Sequence, residues 1–228
     1  MENIQLIETD DGSSSLLNVV LNETYHSTNG AIQESTHVFI KNGLQFFAEK
    51  SKANTVSVFE VGLGTGLNVL LSIKFSNENN FKIHYTSIEA FPVDWPTASR
   101  LNYISHLKDE SLAFYFQQIH QSACSEEIIM SSHFSLHKIK NDLLSFPLNP
   151  NQFDLIFFDA FAPSKQPEIW RYKILEKIAA TLKGGGVFVT YCAKGQVKRD
   201  LKSLGMAVES LAGPPGKREM VRALKLTS

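Results

Sequence analysis

The chain has 228 residues, 43% of them hydrophobic and 20% charged, so it can bury a full core and is not a disordered protein. Its net charge of −1, taken alone, disfavours a polyanionic partner. The distribution points the other way: residues 1–60 carry three Lys or Arg against eight Asp or Glu, whereas residues 190–228 carry eight against three. Asymmetry between the two ends is a better pointer to nucleic acid than the total.

No run of about 18 apolar residues exists, and Met1-Glu2-Asn3-Ile4-Gln5 lacks the build of a signal peptide, so a cytoplasmic protein with no membrane contact is expected. Cys124 and Cys192 give neither a disulfide framework nor metal-ligand spacing, and no metal is expected. In chain order, Thr9-Asp10-Asp11-Gly12-Ser13 reads as a turn and 15–22 as a short strand. A polar, Gly-containing stretch, Tyr25 to Ala31, precedes Glu34-Ser35-Thr36-His37-Val38-Phe39-Ile40. From Val56 onward strands and helices alternate. Strands are expected at 56–61, 82–89, 133–139, 153–159, 186–192, 207–211 and 220–225, and helices at 67–75, 167–182 and 195–204. Such alternation implies a parallel sheet with helices on both faces.

The β-branched run 56–61 ends in Glu60-Val61, and Gly62, Gly64 and Gly66 follow at alternate positions before a helical pattern begins at Leu67. A strand-to-helix turn of this kind brings bare backbone and a helix N-terminus up to a nucleotide-like ligand. A dinucleotide site wants G-x-G-x-x-G; here Leu67 stands where its third glycine belongs. No Lys-Ser or Lys-Thr pair follows, so a P-loop is excluded. The pattern E-x-G-x-G-x-G resembles the first motif of class I S-adenosylmethionine (SAM) methyltransferases. Glu60, Gly62, Gly64, Thr65, Gly66 and Asn68 are therefore expected to bind that cofactor.

Ligands in open α/β sheets sit at the carboxyl ends of the strands. Glu89 ends the second strand, where it can accept the ribose hydroxyls, and Asp142 follows the third, where an acid accepts from the adenine amine or caps the next helix. Glu60 either faces the methionine end or bonds the amides of its own turn. Asp159 ends the apolar run Leu155-Ile156-Phe157-Phe158. A carboxylate there needs a cationic partner, since burying a lone charge is expensive; sulfonium, amino group or a protonated substrate amine would all serve.

Two departures from plain alternation stand out. The last two strands are joined only by Ala212-Gly213-Pro214-Pro215-Gly216, too short for a crossover, so they pair antiparallel. Between Glu89 and His133 lie about 43 residues rich in aromatics, among them Phe91, Trp95, Tyr103 and Phe116, far more than a crossover needs. They are expected to form a helical insertion, about 91–132, overhanging the ligand side of the sheet. The resulting expectation is an α/β, Rossmann-like seven-stranded sheet with an antiparallel C-terminal hairpin. Residues 1–52 form an N-terminal extension covering substrate and cofactor, and 53–228 the methyltransferase domain.

The stretch Asp159-Ala160-Phe161-Ala162-Pro163-Ser164-Lys165-Gln166-Pro167-Glu168-Ile169-Trp170 resembles the D-x-F-A-P-x-K-x-P-x-x-W motif of the tRNA 5-aminomethyl-2-thiouridine methyltransferases. This is the MnmD family, equivalent to the methyltransferase half of the bifunctional MnmC enzymes. Gly213 to Met220 is similar to that family's G-x-G-P-K-R-E-M signature, and the 9–13, 25–31 and 34–39 stretches resemble its N-terminal segment. The resemblance runs from about residue 8 to 225. It implies SAM-dependent methylation of the amine of 5-aminomethyl(-2-thio)uridine at the tRNA wobble position, with the tRNA anticodon loop as partner. It implies no FAD, and separate enzymes that make the amine.

Asp159 is the residue so implied to orient the amine, as a carboxylate of ordinary pKa is a weak base. Phe161 is placed to pack on the flipped-out base. Lys217 and Arg218 at the hairpin tip, with Lys198, Arg199 and Lys202 on one helix, are expected to hold anticodon-stem phosphates. Trp170 and Tyr191 are read as core, and His26 and His37 as packing or surface residues. Competing readings are an aminopropyltransferase of the spermidine synthase type and a non-catalytic SAM- or RNA-binding protein. The basic hairpin argues against the first, the intact glycine turn with Asp159 against the second.

Overall fold

The computed structural model describes residues 3–227; Met1 and Glu2 of the N-terminal stretch, and Ser228, lie outside the described residues. A small antiparallel sheet comes first, of β1 (Ile4–Glu8), β2 (Ser14–Asn18) and β3 (Glu23–Thr24). The expected strand at 15–22 thus ends at Asn18, whose side chain accepts from the Leu21 amide and turns the chain. Then α1 (Ala31–Ser35), a π-wound stretch (Thr36–Gln45) and α2 (Phe46–Ser51) follow one another without a break. No helix was expected here.

The main sheet comprises β4 (Thr55–Val61), β5 (Lys82–Glu89), β6 (Glu127–Ser131), β7 (Phe134–Lys140), β8 (Phe153–Phe158), β9 (Leu182–Thr190), β10 (Met206–Ala212) and β11 (Glu219–Lys225). Its order is β10-β11-β9-β8-β4-β5-β7-β6. Strands β7, β5, β4, β8 and β9 are parallel, and β10-β11 form the expected antiparallel hairpin on the β9 edge. The sheet has eight strands rather than the expected seven. The extra one, β6, closes the insertion and pairs antiparallel with β7, covering an edge that would otherwise be open.

Both faces of the sheet are buried, which is why β8 reads as a continuous apolar run. Leu155 and Phe157 face one layer; Ile156 and Phe158 face the other. The first layer holds the 31–51 helix, α3 (Leu67–Asn79) and the insertion helices α4 (Trp95–Ala98), α5 (Tyr103–Leu107) and α6 (Leu112–Gln121). The second holds α7 (Tyr172–Thr181) and α8 (Gly195–Ser203). The 31–51 helix lies directly on β8 and β9: a Cβ at Gly43 would stand 3.0 Å from the Phe157 ring and 3.1 Å from Val189.

The helix expected at 167–182 starts only at Tyr172. Residues 167–171 form turns, with the Trp170 amide donating to Pro167 O and its indole to Phe161 O. Trp170 is buried, as read from the sequence. Among the described residues no helix is long and apolar enough to cross a membrane.

Candidate active site

The carboxyl ends of β4, β5 and β8 open into a crevice of about 880 Å³, within the size range of small-molecule sites. One wall is the glycine turn with Glu89, Asp142 and Asp159. The other is the N-terminal segment, including Val20, Glu23, Tyr25 and His26. The insertion contributes Phe91, 82% exposed at the mouth, but its helices do not overhang the ligand side as expected. They pack on the outside of the glycine turn instead. A Cβ at Gly66 would lie 2.8 Å from Ile119 and 3.2 Å from His120, so this glycine admits α6 rather than the cofactor. Gly66 does not line the crevice; Gly62, Gly64, Thr65 and Asn68 do. Thr65 is held from behind, its hydroxyl accepting from Tyr103 Oη at 3.0 Å.

Glu89 bridges two loops: Oε2 accepts from the Gly64 amide at 3.2 Å and Oε1 from the Phe91 amide at 2.9 Å. Asp142 lines the crevice and also accepts from the Leu144 amide through Oδ1 at 2.9 Å; a turn follows it rather than a helix, so the helix-capping alternative does not apply. Glu60 departs from expectation. Wholly buried and absent from the crevice lining, it neither faces a methionine end nor bonds its own turn. It accepts from Asn68 Nδ2 at 3.0 Å and Ser87 Oγ at 2.8 Å. Burial pushes its carboxyl up to about 8, against the pull of those two hydrogen bonds. Glu60 therefore lies one layer beneath the site, with Asn68 above it.

Asn68 joins that layer to Asp159. Its Nδ2 also donates to Asp159 Oδ2 at 2.8 Å, while its buried Oδ1 has no partner. Asp159, half-buried in the crevice, is pushed up to about 7, first by burial and then by the charge of Glu34, with Asn68 and Lys217 pulling it down. A carboxyl so placed favours a cation beside it.

The same crevice gathers further residues, several of them in roles other than those expected. Lys217 leaves the hairpin tip, ion-pairs with the buried Glu34 of α1 and lies 3.9 Å from the centre of the Tyr191 ring. Tyr191 was read as core, yet it lines the crevice and donates to Ala160 O at 2.8 Å. Phe161 meets Tyr25 edge-on with ring centres 5.0 Å apart. His26 is buried, 2.9 Å from Ser15 Oγ, and its pKa is lowered to about 4 by burial, so it is neutral at physiological pH. Lys165 ties the Asp159 loop to the N-terminal segment by donating to Leu21 O at 2.9 Å. These contacts link residues far apart in the chain, and no local pattern announces them.

The remaining expected RNA ligands lie outside the crevice. Lys198 folds back to Glu219 and Ser210, and Arg199 donates to Gln196. Arg218 and Lys202 are exposed. Charge asymmetry between the two ends is thus partly cancelled within the fold, Lys217 meeting Glu34. His37 Nε2 lies 2.8 Å from Ala212 O on the same hairpin.

Asp159 makes stability pH-dependent. Its folded pKa, about 7, lies above the ordinary carboxylate value of 3.8, so between these values the folded state holds more protons and stability falls as pH rises. Asp159→Asn removes that loss while retaining an acceptor for Asn68. The variant is expected to melt above the wild type at pH 8 and level with it at pH 3. A constant difference across that range in a thermal melt would remove Asp159 as the cause.

The described residues hold no group of three or more His, Cys, Asp or Glu placed to bind a metal ion. SAM fits what is present: acids at the ends of β5 and β8, and a glycine turn whose Gly62, Gly64 and Thr65 line the crevice between them. Residues 104–226 match a family model described as S-adenosyl-L-methionine-dependent methyltransferase. The chain is 31% identical over 209 residues to the tRNA 5-methylaminomethyl-2-thiouridine biosynthesis bifunctional protein MnmC of Leptospira interrogans, covering 87% of this chain and 32% of that protein. It is 30% identical over 218 residues to the protein of that name in Pseudoalteromonas atlantica, covering 89% and 31%. The chain thus spans about a third of the length of these relatives. The crystal structure of MnmC2 from Aquifex aeolicus superposes with a TM-score of 0.78 at 24% identity, covering 99% of this chain and 71% of that one. It shares the class I fold.

Proposed function

The chain belongs to the S-adenosyl-L-methionine-dependent methyltransferases, and we propose that it methylates the primary amine of 5-aminomethyl(-2-thio)uridine at the tRNA wobble position. The relatives' names describe biosynthesis of the methylated product. The observation that carries the proposal is Asp159: a half-buried carboxyl on a loop matching the family motif, in the same crevice as the Phe161–Tyr25 aromatic pair. An acid that favours a neighbouring cation suits an amine substrate. A hydroxyl substrate would gain less from it.

When bound, SAM supplies a methyl group on a positively charged sulfur. Glu89 and Asp142 would hold its ribose and adenine, and Gly62, Gly64 and Thr65 would face the rest of the cofactor. Asp159 orients the substrate nitrogen. A free alkyl amine is mostly protonated at neutral pH, and only its lone pair reacts. The raised pKa of Asp159 makes it a better base than an ordinary carboxylate, so it takes one proton from the ammonium. The lone pair so freed is the group that would take up the methyl SAM supplies, with a neutral thioether as the leaving group. Alignment and exclusion of water account for most of the acceleration. Phe161 and Tyr25 offer edges and faces to a pyrimidine taken out of its stack.

The test is incubation with SAM and tRNA bearing 5-aminomethyluridine, followed by mass spectrometry of the nucleosides. A gain of one methyl on that base is expected. An unmodified base, with cofactor binding confirmed, would remove the proposal.

A further inference from the structure

Beside the crevice lies a second, shallower groove of about 420 Å³. Tyr191 and Lys217 line both cavities, so the two open from a common rim. Ala162 and Pro163, directly after the Asp159-Ala160-Phe161 segment, form part of its wall. Anything that reaches Asp159 from outside on this side passes the groove.

The charges within it do not cancel. Lys217 is neutralised by Glu34, and Glu219 by Lys198 at 2.6 Å. That leaves Lys194 and Arg218, both exposed and both lining the groove. Among the described residues neither enters an ion pair. Lys194 is also the N-cap residue of α8, a start with no side-chain cap and no acid in its first turn. The free amides there add to the positive field. Two uncompensated cations at the rim of a site for a cationic substrate are out of place unless the substrate also carries negative charge. A nucleotide within RNA does so: its base can enter the crevice while its phosphates stay outside.

We propose that this groove is a phosphodiester subsite, in which Lys194 and Arg218 hold the RNA phosphate adjoining the nucleotide whose base enters the crevice. The inference rests on the proposed tRNA reaction and specifies where the backbone lies. It keeps Arg218 from the expected phosphate ligands, adds Lys194, and places the contact at the rim next to Asp159 rather than on the α8 face carrying Lys198, Arg199 and Lys202. Enzymes that extrude a base must hold the strand that bears it, and contacts to phosphate set position rather than sequence.

The experiment compares the unaltered chain with a Lys194→Ala/Arg218→Ala variant. A Lys52→Gly/Lys82→Ala variant serves as a charge-matched control at the opposite ends of the strands. Binding of an anticodon stem-loop is measured against salt concentration. The groove variant is expected to lower the slope of log K against log salt by about one, and the control to leave it unchanged. In parallel, kcat/KM is measured for 5-aminomethyluridine as nucleoside and as its 3′,5′-bisphosphate. The unaltered chain should prefer the bisphosphate, and the groove variant should lose about tenfold of that preference. A wild-type salt slope, or a retained bisphosphate preference, in the groove variant overturns the subsite. Failure of the unaltered chain to methylate any of these substrates counts against the reaction instead. The salt slope needs no turnover, so it decides the subsite either way.

Discussion

Asp159→Asn is expected to lower kcat for methyl transfer by about a hundredfold to a thousandfold, the range typical of losing one preorganised electrostatic partner. The substitution keeps size, shape and an acceptor for Asn68 Nδ2, now 2.8 Å from Oδ2. What disappears is the negative charge that holds the substrate ammonium and takes its proton. SAM binding, followed by calorimetry, should change far less, because Glu89 still bridges the Gly64 and Phe91 amides. A smaller fall in kcat, or a collapse of cofactor affinity with kcat preserved, would reassign Asp159 to the cofactor alone.

Gly62→Ala is expected to cost about 2–4 kcal/mol of stability and nearly all activity. Gly62 has φ +90°, and a Cβ there would lie 2.6 Å from the carbonyl oxygen of Asp159. The left-handed backbone alone disfavours any side chain. The larger consequence is that the ends of β4 and β8 must separate. They are joined by the Asp159 amide donating to Val61 O at 3.0 Å, and Gly62 donates to Ile88 O on β5 at 3.0 Å. Pushing them apart moves the reacting carboxylate and the cofactor turn together. Urea denaturation checks the stability, and turnover at a temperature where the variant remains folded checks the displacement. An alanine variant with wild-type kcat would show that this close approach does not set the site.

The parallel core was legible because its strands are apolar runs that end in acids or glycines, a pattern local to each strand. Glu89, Asp142 and Asp159 were found that way, and the crevice brings all three to one place. The 31–51 helix was not legible, for a specific reason. Its middle, Thr36–Gln45, is π-wound, with buried Val38, Phe39, Gly43 and Leu44 spaced more widely than a 3.6-residue period would place them, so a search for that period misses it. Glu60 was misplaced because an acid at the end of a strand looks the same whether it faces the crevice or the layer below. Only Asn68 and Ser87, which bond it, distinguish the two. Lys217 was read as a phosphate ligand at the hairpin tip because its partner, Glu34, stands far away in sequence. Tyr25 and Tyr191 reach the crevice through the same long-range closure of the two chain ends.

The most direct test is a crystal structure of the chain with S-adenosylhomocysteine and an anticodon stem-loop bearing 5-aminomethyluridine. The modified base should lie in the crevice against Phe161 and Tyr25, with its amine nitrogen within hydrogen-bond reach of Asp159 and facing the cofactor sulfur. A base bound elsewhere, or an amine turned away from Asp159 with the cofactor in place, would contradict the account.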